Sequence, residues 1–155
     1  MLESLPAILK AFSNGAAALA ALADWRAKTR GNARALVEEL KENARCCLLV
    51  LEDDVPIEQV IERFATSEYD RLGRAGFDFN SLRRSRIERY ASLEGTELAS
   101  WRGKPTEQLV VSIYDKIKDL RAHYPHAKES ERRRWRVRVA NIHKRILLLL
   151  LHAHA

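Results

Sequence analysis

The chain has 155 residues, 46% of them apolar and 31% charged, with a formal net charge of +6. That is enough apolar material for the core of a single domain over residues 1–155, and the absence of low-complexity tracts excludes long disorder. Cys46 and Cys47 are the only cysteines and are adjacent, which excludes a disulfide framework and leads us to expect a reducing, cytoplasmic setting.

Two segments carry a superficial membrane signal. Ala16 to Ala23 reads AAALAALA and ends in an Ala-x-Ala pattern, but Glu3 and Lys10 precede it with no excess of positive charge. We therefore expect a core helix there, not a signal peptide. Ile146 to Leu151 is a run of six large aliphatic residues, far short of the roughly 20 needed to span a bilayer. No membrane span is expected.

In chain order, Leu2, Leu5, Leu9, Phe12, Ala16, Leu19 and Ala23 recur at steps of three and four, which predicts a helix from about Ser4 to Lys28. Gly31 and Asn32 are its expected stop. A second helix follows, with Leu36, Leu40, Ala44, Cys47 and Leu51 as its buried stripe. The short connection makes the two an antiparallel hairpin. Glu38, Glu39 and Glu42 read as surface charge. Asp53, Asp54 and Pro56 predict a third helix beginning near Val55, with Ile57, Val60, Ile61 and Phe64 on its apolar face. It ends before Gly73, Gly76 and the FDFN segment at 77–80, whose phenylalanines are expected to plug the core.

Asn80 or Ser81 then caps a fourth predicted helix, with Leu82, Ile87, Tyr90 and Leu93 facing inward. One or two turns fit between Thr96 and Trp101. Leu109, Ile113, Ile117, Leu120 and Tyr124 mark a fifth helix ended by Pro125. The sixth opens at Ser130 and carries Trp135, Val139, Ile142, Ile146 and Leu149 within about 80° of arc. No segment reads as a strand. The expected fold is all-α, a helical bundle built on four long helices with two shorter helices in the connection.

Charge is concentrated at the end of the chain. Residues 128–155 hold eight Lys and Arg against two Glu, which accounts for the whole net charge. Arg132, Arg133, Arg134, Arg136, Lys144 and Arg145 are candidate anion-binding residues, because guanidinium groups pair with phosphate or carboxylate in a bidentate way. Arg83 and Arg84, with Arg86 and Arg89, form a second basic cluster that would extend this face if the two segments are neighbours. Such a face could serve nucleic acid as well as protein. His123, His126, His152 and His154 show no metal-ligand spacing, and neither metal nor other cofactor is expected.

Arg138-Val-Ala-Asn-Ile-His143 places an arginine and a histidine with four residues between them on a late helix of an all-α chain. The segment resembles the Arg-x4-6-His motif of HEPN-domain ribonucleases. The resemblance implies that Arg138 would hold the scissile phosphate and His143 would do acid–base work, across a dimer and without metal. The principal expectation is different: a non-enzymatic interaction module that binds itself or a partner protein through the basic last helix. The Ala-rich stripe of the first helix and the aliphatic end of the last are the expected dimer surfaces. The nuclease and a nucleic-acid-binding accessory protein are the alternatives.

Overall fold

Asn14 begins the part of the chain that the structure, a computed structural model, describes: residues 14–126 and 132–154. Its side chain accepts the Ala16 amide at 2.9 Å, an N-cap bond that satisfies one of the orphan donors of a helix start. Helix α1 therefore runs Gly15–Lys28. The single helix expected from Ser4 is interrupted at this cap, and its earlier part lies outside the described residues. The buried face of α1 carries Ala18, Leu22 and Trp25, whereas Ala16 of the expected stripe is exposed and Leu19 and Ala23 are half-buried. Alanine on every side leaves the helical pattern weak, so the largest side chains choose the face.

Gly31 does not stop α1. It takes φ +59° and opens α2, Gly31–Leu51. Leu36, Leu40, Ala44 and Cys47 are buried as their spacing predicts, while Leu51 is half-buried. The same helix buries two polar residues. The Asn43 carboxamide bonds both the N–H and the C=O of Ala65, each at 2.8 Å. The Glu39 carboxylate accepts the Glu68 and Tyr69 amides at 2.8 and 3.1 Å and the Ser67 hydroxyl at 3.3 Å.

These two side chains account for a departure from expectation. The helix starting near Val55 is not continuous. Helix α3, Ile57–Val60, passes into a 3-10 turn at Ile61–Arg63, the chain breaks at 64–66, and α4 follows at Ser67–Arg74. Asn43 withdraws the Ala65 peptide groups from any helical ladder, and Glu39 caps the start of α4, where the helix dipole favours a negative charge. Glu39 is thus a buried cap and not the surface charge its neighbours suggested.

The helix expected over 82–93 is also absent. Residues 83–90 form no regular element and bend at Ser85, between 3-10 turns at Phe79–Leu82 and Ala91–Leu93. Ile87 donates to the Lys104 carbonyl at 3.0 Å and accepts from the Gly103 amide at 2.9 Å, which satisfies its backbone without a helix. The inward residues survive the change: Ile87 and Leu93 are buried, and Leu82 and Tyr90 pack against the core. The piece before Gly103 is a 3-10 helix, Glu97–Trp101, capped by Thr96.

Helix α5, Thr106–His123, buries Leu109, Ile113, Ile117 and Leu120, and a 3-10 turn at Tyr124–His126 ends it. Helix α6, Arg132–His154, buries Trp135, Val139, Ile142, Ile146 and Leu149. The α6 stripe is as expected; of the α5 stripe, Tyr124 is half-buried and belongs to the 3-10 turn.

The fold is all-α, and no strand occurs among the described residues. Of the long helices, α1 is shorter than the others, with 14 residues against 21, 18 and 23 in α2, α5 and α6. Helix α6 packs between α2 and α5, and α1 packs on α2. Arg136 near the start of α6 reaches carbonyls at the end of α2, so those two helices are antiparallel. Tyr124 stacks edge-on against Trp135 at 5.4 Å, and Thr106 meets His152 at 2.8 Å, so α5 and α6 are antiparallel too. Helices α2 and α5 therefore run the same way. Two parallel helices need a crossover, supplied by residues 52–105 with α3, α4 and the 3-10 turns.

Candidate interaction surface on the last helix

The two halves of α6 have different surroundings. From Arg145 through His152 every residue is buried, so the aliphatic end is core and is not open as a dimer surface. In the first half, Arg134, Arg136, Val137, Arg138 and Lys144 are exposed and Asn141 is half-buried. Val137, 58% exposed, is the one large hydrophobic residue left exposed among the described residues.

The basic residues of this helix divide by what they already hold. Arg136 donates to the Val50 and Leu51 carbonyls at 2.9 and 2.7 Å and to Asp54 at 3.1 Å. It satisfies orphan acceptors at the end of α2, so its role is structural. Arg145 was expected to face solvent, but its side chain is only 9% exposed and lies 3.6 Å from Glu97, with a bond to the Asn141 carbonyl at 3.0 Å. Glu97 draws it under the crossover. Arg134, Arg138 and Lys144 make no ion pair among the described residues. The side chains of Arg132 and Arg133 lie outside the described residues.

The second basic cluster does not extend this face. The Arg83 carbonyl accepts the Thr106 hydroxyl at 2.5 Å, and that hydroxyl meets His152. Arg83 therefore sits at the far end of α6, about 27 Å from Arg134 at 1.5 Å per residue. Arg84 pairs with Asp78 at 3.7 Å.

Arg138 and His143 are not brought together. Five residues along a helix is a turn of about 140°. The Arg138 guanidinium lies 4.8 Å over the Trp135 ring and lines a cavity of about 200 Å³ with Lys116, Asp119 and Asn141. His143 is 8% exposed, its Nδ1 has no partner, and burial pulls its pKa down to about 4. It is therefore neutral near pH 7 and enclosed by the core.

Cys46 and Cys47 are buried thiols whose pKa is raised by that burial, the opposite of a reactive cysteine. His123 bonds the Asp119 carbonyl of its own helix at 2.8 Å. Among the described residues no group of three or more His, Cys, Asp or Glu is arranged to hold a metal, and no helix is long and apolar enough to cross a membrane.

Helix α5 supplies the opposite charge beside this stripe. Its outer face carries an open groove of about 520 Å³ lined by Trp101, Glu107, Val111, Asp115, Lys116 and Asp119, among others. Asp115 and Asp119 are exposed and unpaired by any cation among the described residues. Lys116 and Asp119 also line the cavity at Arg138, so the acidic groove and the basic stripe are contiguous. Neither Val137 nor these carboxylates stood out in the sequence. A helical wheel would have found Val137, which lies nearly opposite the Trp135 to Leu149 stripe, and the i, i+4 repetition of like charge marks Asp115 with Asp119. Comparison with family models, curated proteins and solved structures gives no match.

Proposed function

We propose that this chain is a non-enzymatic interaction module that binds protein, itself included, through the exposed first half of α6. One observation carries the reading: Val137, 58% exposed, stands in a stripe with Arg134, Arg138 and Lys144. An apolar residue ringed by cations that make no ion pair among the described residues is the composition of a contact surface with an apolar centre and a polar rim.

A protein partner is favoured over nucleic acid by the acids beside the stripe. Asp115 and Asp119 border the same groove system as Arg138, and carboxylates there oppose a phosphate backbone. The separation of the two basic clusters along α6 also denies a polyanion a continuous track. A nuclease role for Arg138 and His143 has no comparable support, because acid–base work requires the histidine to reach the substrate.

Light scattering on the wild type and on Val137→Glu tests the proposal. The substitution is at an exposed position and is expected to change stability by no more than about 0.5 kcal/mol. The wild type is expected to exceed its 17.8 kDa monomer mass at high concentration, and Val137→Glu to return it to that mass. A monomer at every concentration, or association untouched by Val137→Glu, overturns the reading.

A further inference from the structure

From the charge on α5 and α6 we infer that the partner of the α6 stripe is a second copy of this chain, docked so that α6 of each copy lies on the acidic face of α5 of the other. The inference rests on the proposed contact role of α6 and names its counterpart.

Two like-charged pairs carry it. Arg134 and Arg138 are four residues apart on α6, and Asp115 and Asp119 are four apart on α5; all four are exposed. Residues at that spacing are neighbours on a helix surface, so each pair repels and destabilises its own helix by a few tenths of a kcal/mol. No ion pair among the described residues relieves either repulsion. Each pair is what the other lacks, yet both lie on one side of one molecule, joined at the cavity shared by Asp119 and Arg138.

A face with positive charge on one edge and negative on the other is self-complementary under a twofold axis. Consider an axis parallel to the helices, above the groove between α5 and α6. Rotation about it carries α5 over the other copy's α6 without shifting it lengthwise. Residues at one height then face each other. Asp119 and Arg138 line the same cavity, so Asp119 of one copy meets Arg138 of the other. One turn along, Asp115 comes opposite the Asn141 to Lys144 level, because α5 and α6 are antiparallel. Both contacts occur twice.

The size of the face sets the strength. Helix α5, with 18 residues, is about 27 Å long, and two helices side by side span about 20 Å. That gives about 540 Å² per copy against about 800 Å² for a standard stable interface. The dimer is therefore expected to be weak, of micromolar affinity, and to weaken further as salt rises.

Sedimentation velocity on the full chain tests the inference with two charge-reversed variants, Asp115→Lys/Asp119→Lys and Arg138→Glu/Lys144→Glu. Alone, each variant sets like charge against like charge across the axis and is expected to dimerise at least about tenfold more weakly than the wild type. Mixed in equal amounts, the two restore opposite charges at all four contacts and are expected to recover the dimer. A monomeric wild type, variants that dimerise like the wild type, or a mixture that stays monomeric while both variants keep the wild-type circular dichroism each overturns it. Were the acid reversals harmless but Val137→Glu disruptive, α6 would remain the contact surface and α5 would not be its counterpart. If neither mattered, both readings would fall.

Discussion

His143 shows how one buried polar residue ties stability to pH. It is 8% exposed, and burial lowers its pKa from 6.5 to about 4. Between those values the unfolded chain binds a proton that the folded chain does not, so stability falls as pH drops from about 6.5 towards 4. Burial and the nearby Arg83 charge lower the His152 pKa as well, with the same sign. The expected loss from His143 between pH 7.5 and 4.5 is about 2–3 kcal/mol. Urea unfolding at the two pH values measures it: His143→Leu should be less sensitive to acid by about that amount, and an equal pH dependence in both proteins would refute the assignment. At the same scale, the Arg-x4-6-His spacing does not by itself single out one pair. Arg121 with His126 and Arg145 with His152 satisfy the family spacing equally; only the surroundings separate them. Burial of His143 and stacking of Arg138 on Trp135 depend on what the rest of the chain brings against α6.

Among the elements, those whose order is local could be read from the sequence and those ordered from afar could not. Helices α2, α5 and α6 follow the three-and-four spacing of their own apolar residues, and their buried stripes lie where that spacing puts them, save that Leu51 and Tyr124 are only half-buried. The break before α4 is imposed by Asn43, 22 residues away, and the α4 cap by Glu39, about 30 residues away. Neither can be inferred from the segment it shapes. Residues 83–90 present Ile87 to the core without a helix, and its backbone partners at Gly103 and Lys104 lie well downstream. For the same reason the basic face was legible as charge but not as chemistry: Arg136 and Arg145 are occupied by remote acceptors, and Arg134 and Arg138 are not. Glu39→Ala should cost about 2–4 kcal/mol, since it leaves three donors at the start of α4 without their acceptor. Glu39→Gln, which keeps one acceptor oxygen, should cost less. Chemical denaturation of the two variants checks this; a loss under about 0.5 kcal/mol for Glu39→Ala would mean that water replaces the cap.

At the scale of the whole molecule, the parallel course of α2 and α5 forces the long crossover, and the crossover decides which part of α6 stays open. Its 97–101 turn draws in Arg145, and its irregular 83–90 segment brings Arg83 to the level of His152. The second half of α6 is closed and the first half is left with Val137, Arg134, Arg138 and Lys144 outward, next to the acids of α5. In the dimer proposed above, a second copy covers this exposed half. A nitroxide at Val137→Cys tests it most directly, because Cys46 and Cys47 are buried and the label goes to one site. With helices packed about 8–10 Å apart, dipolar spectroscopy on a concentrated low-salt sample should give one spin–spin separation below about 30 Å, lost on dilution. A signal of isolated spins at every concentration would contradict the account.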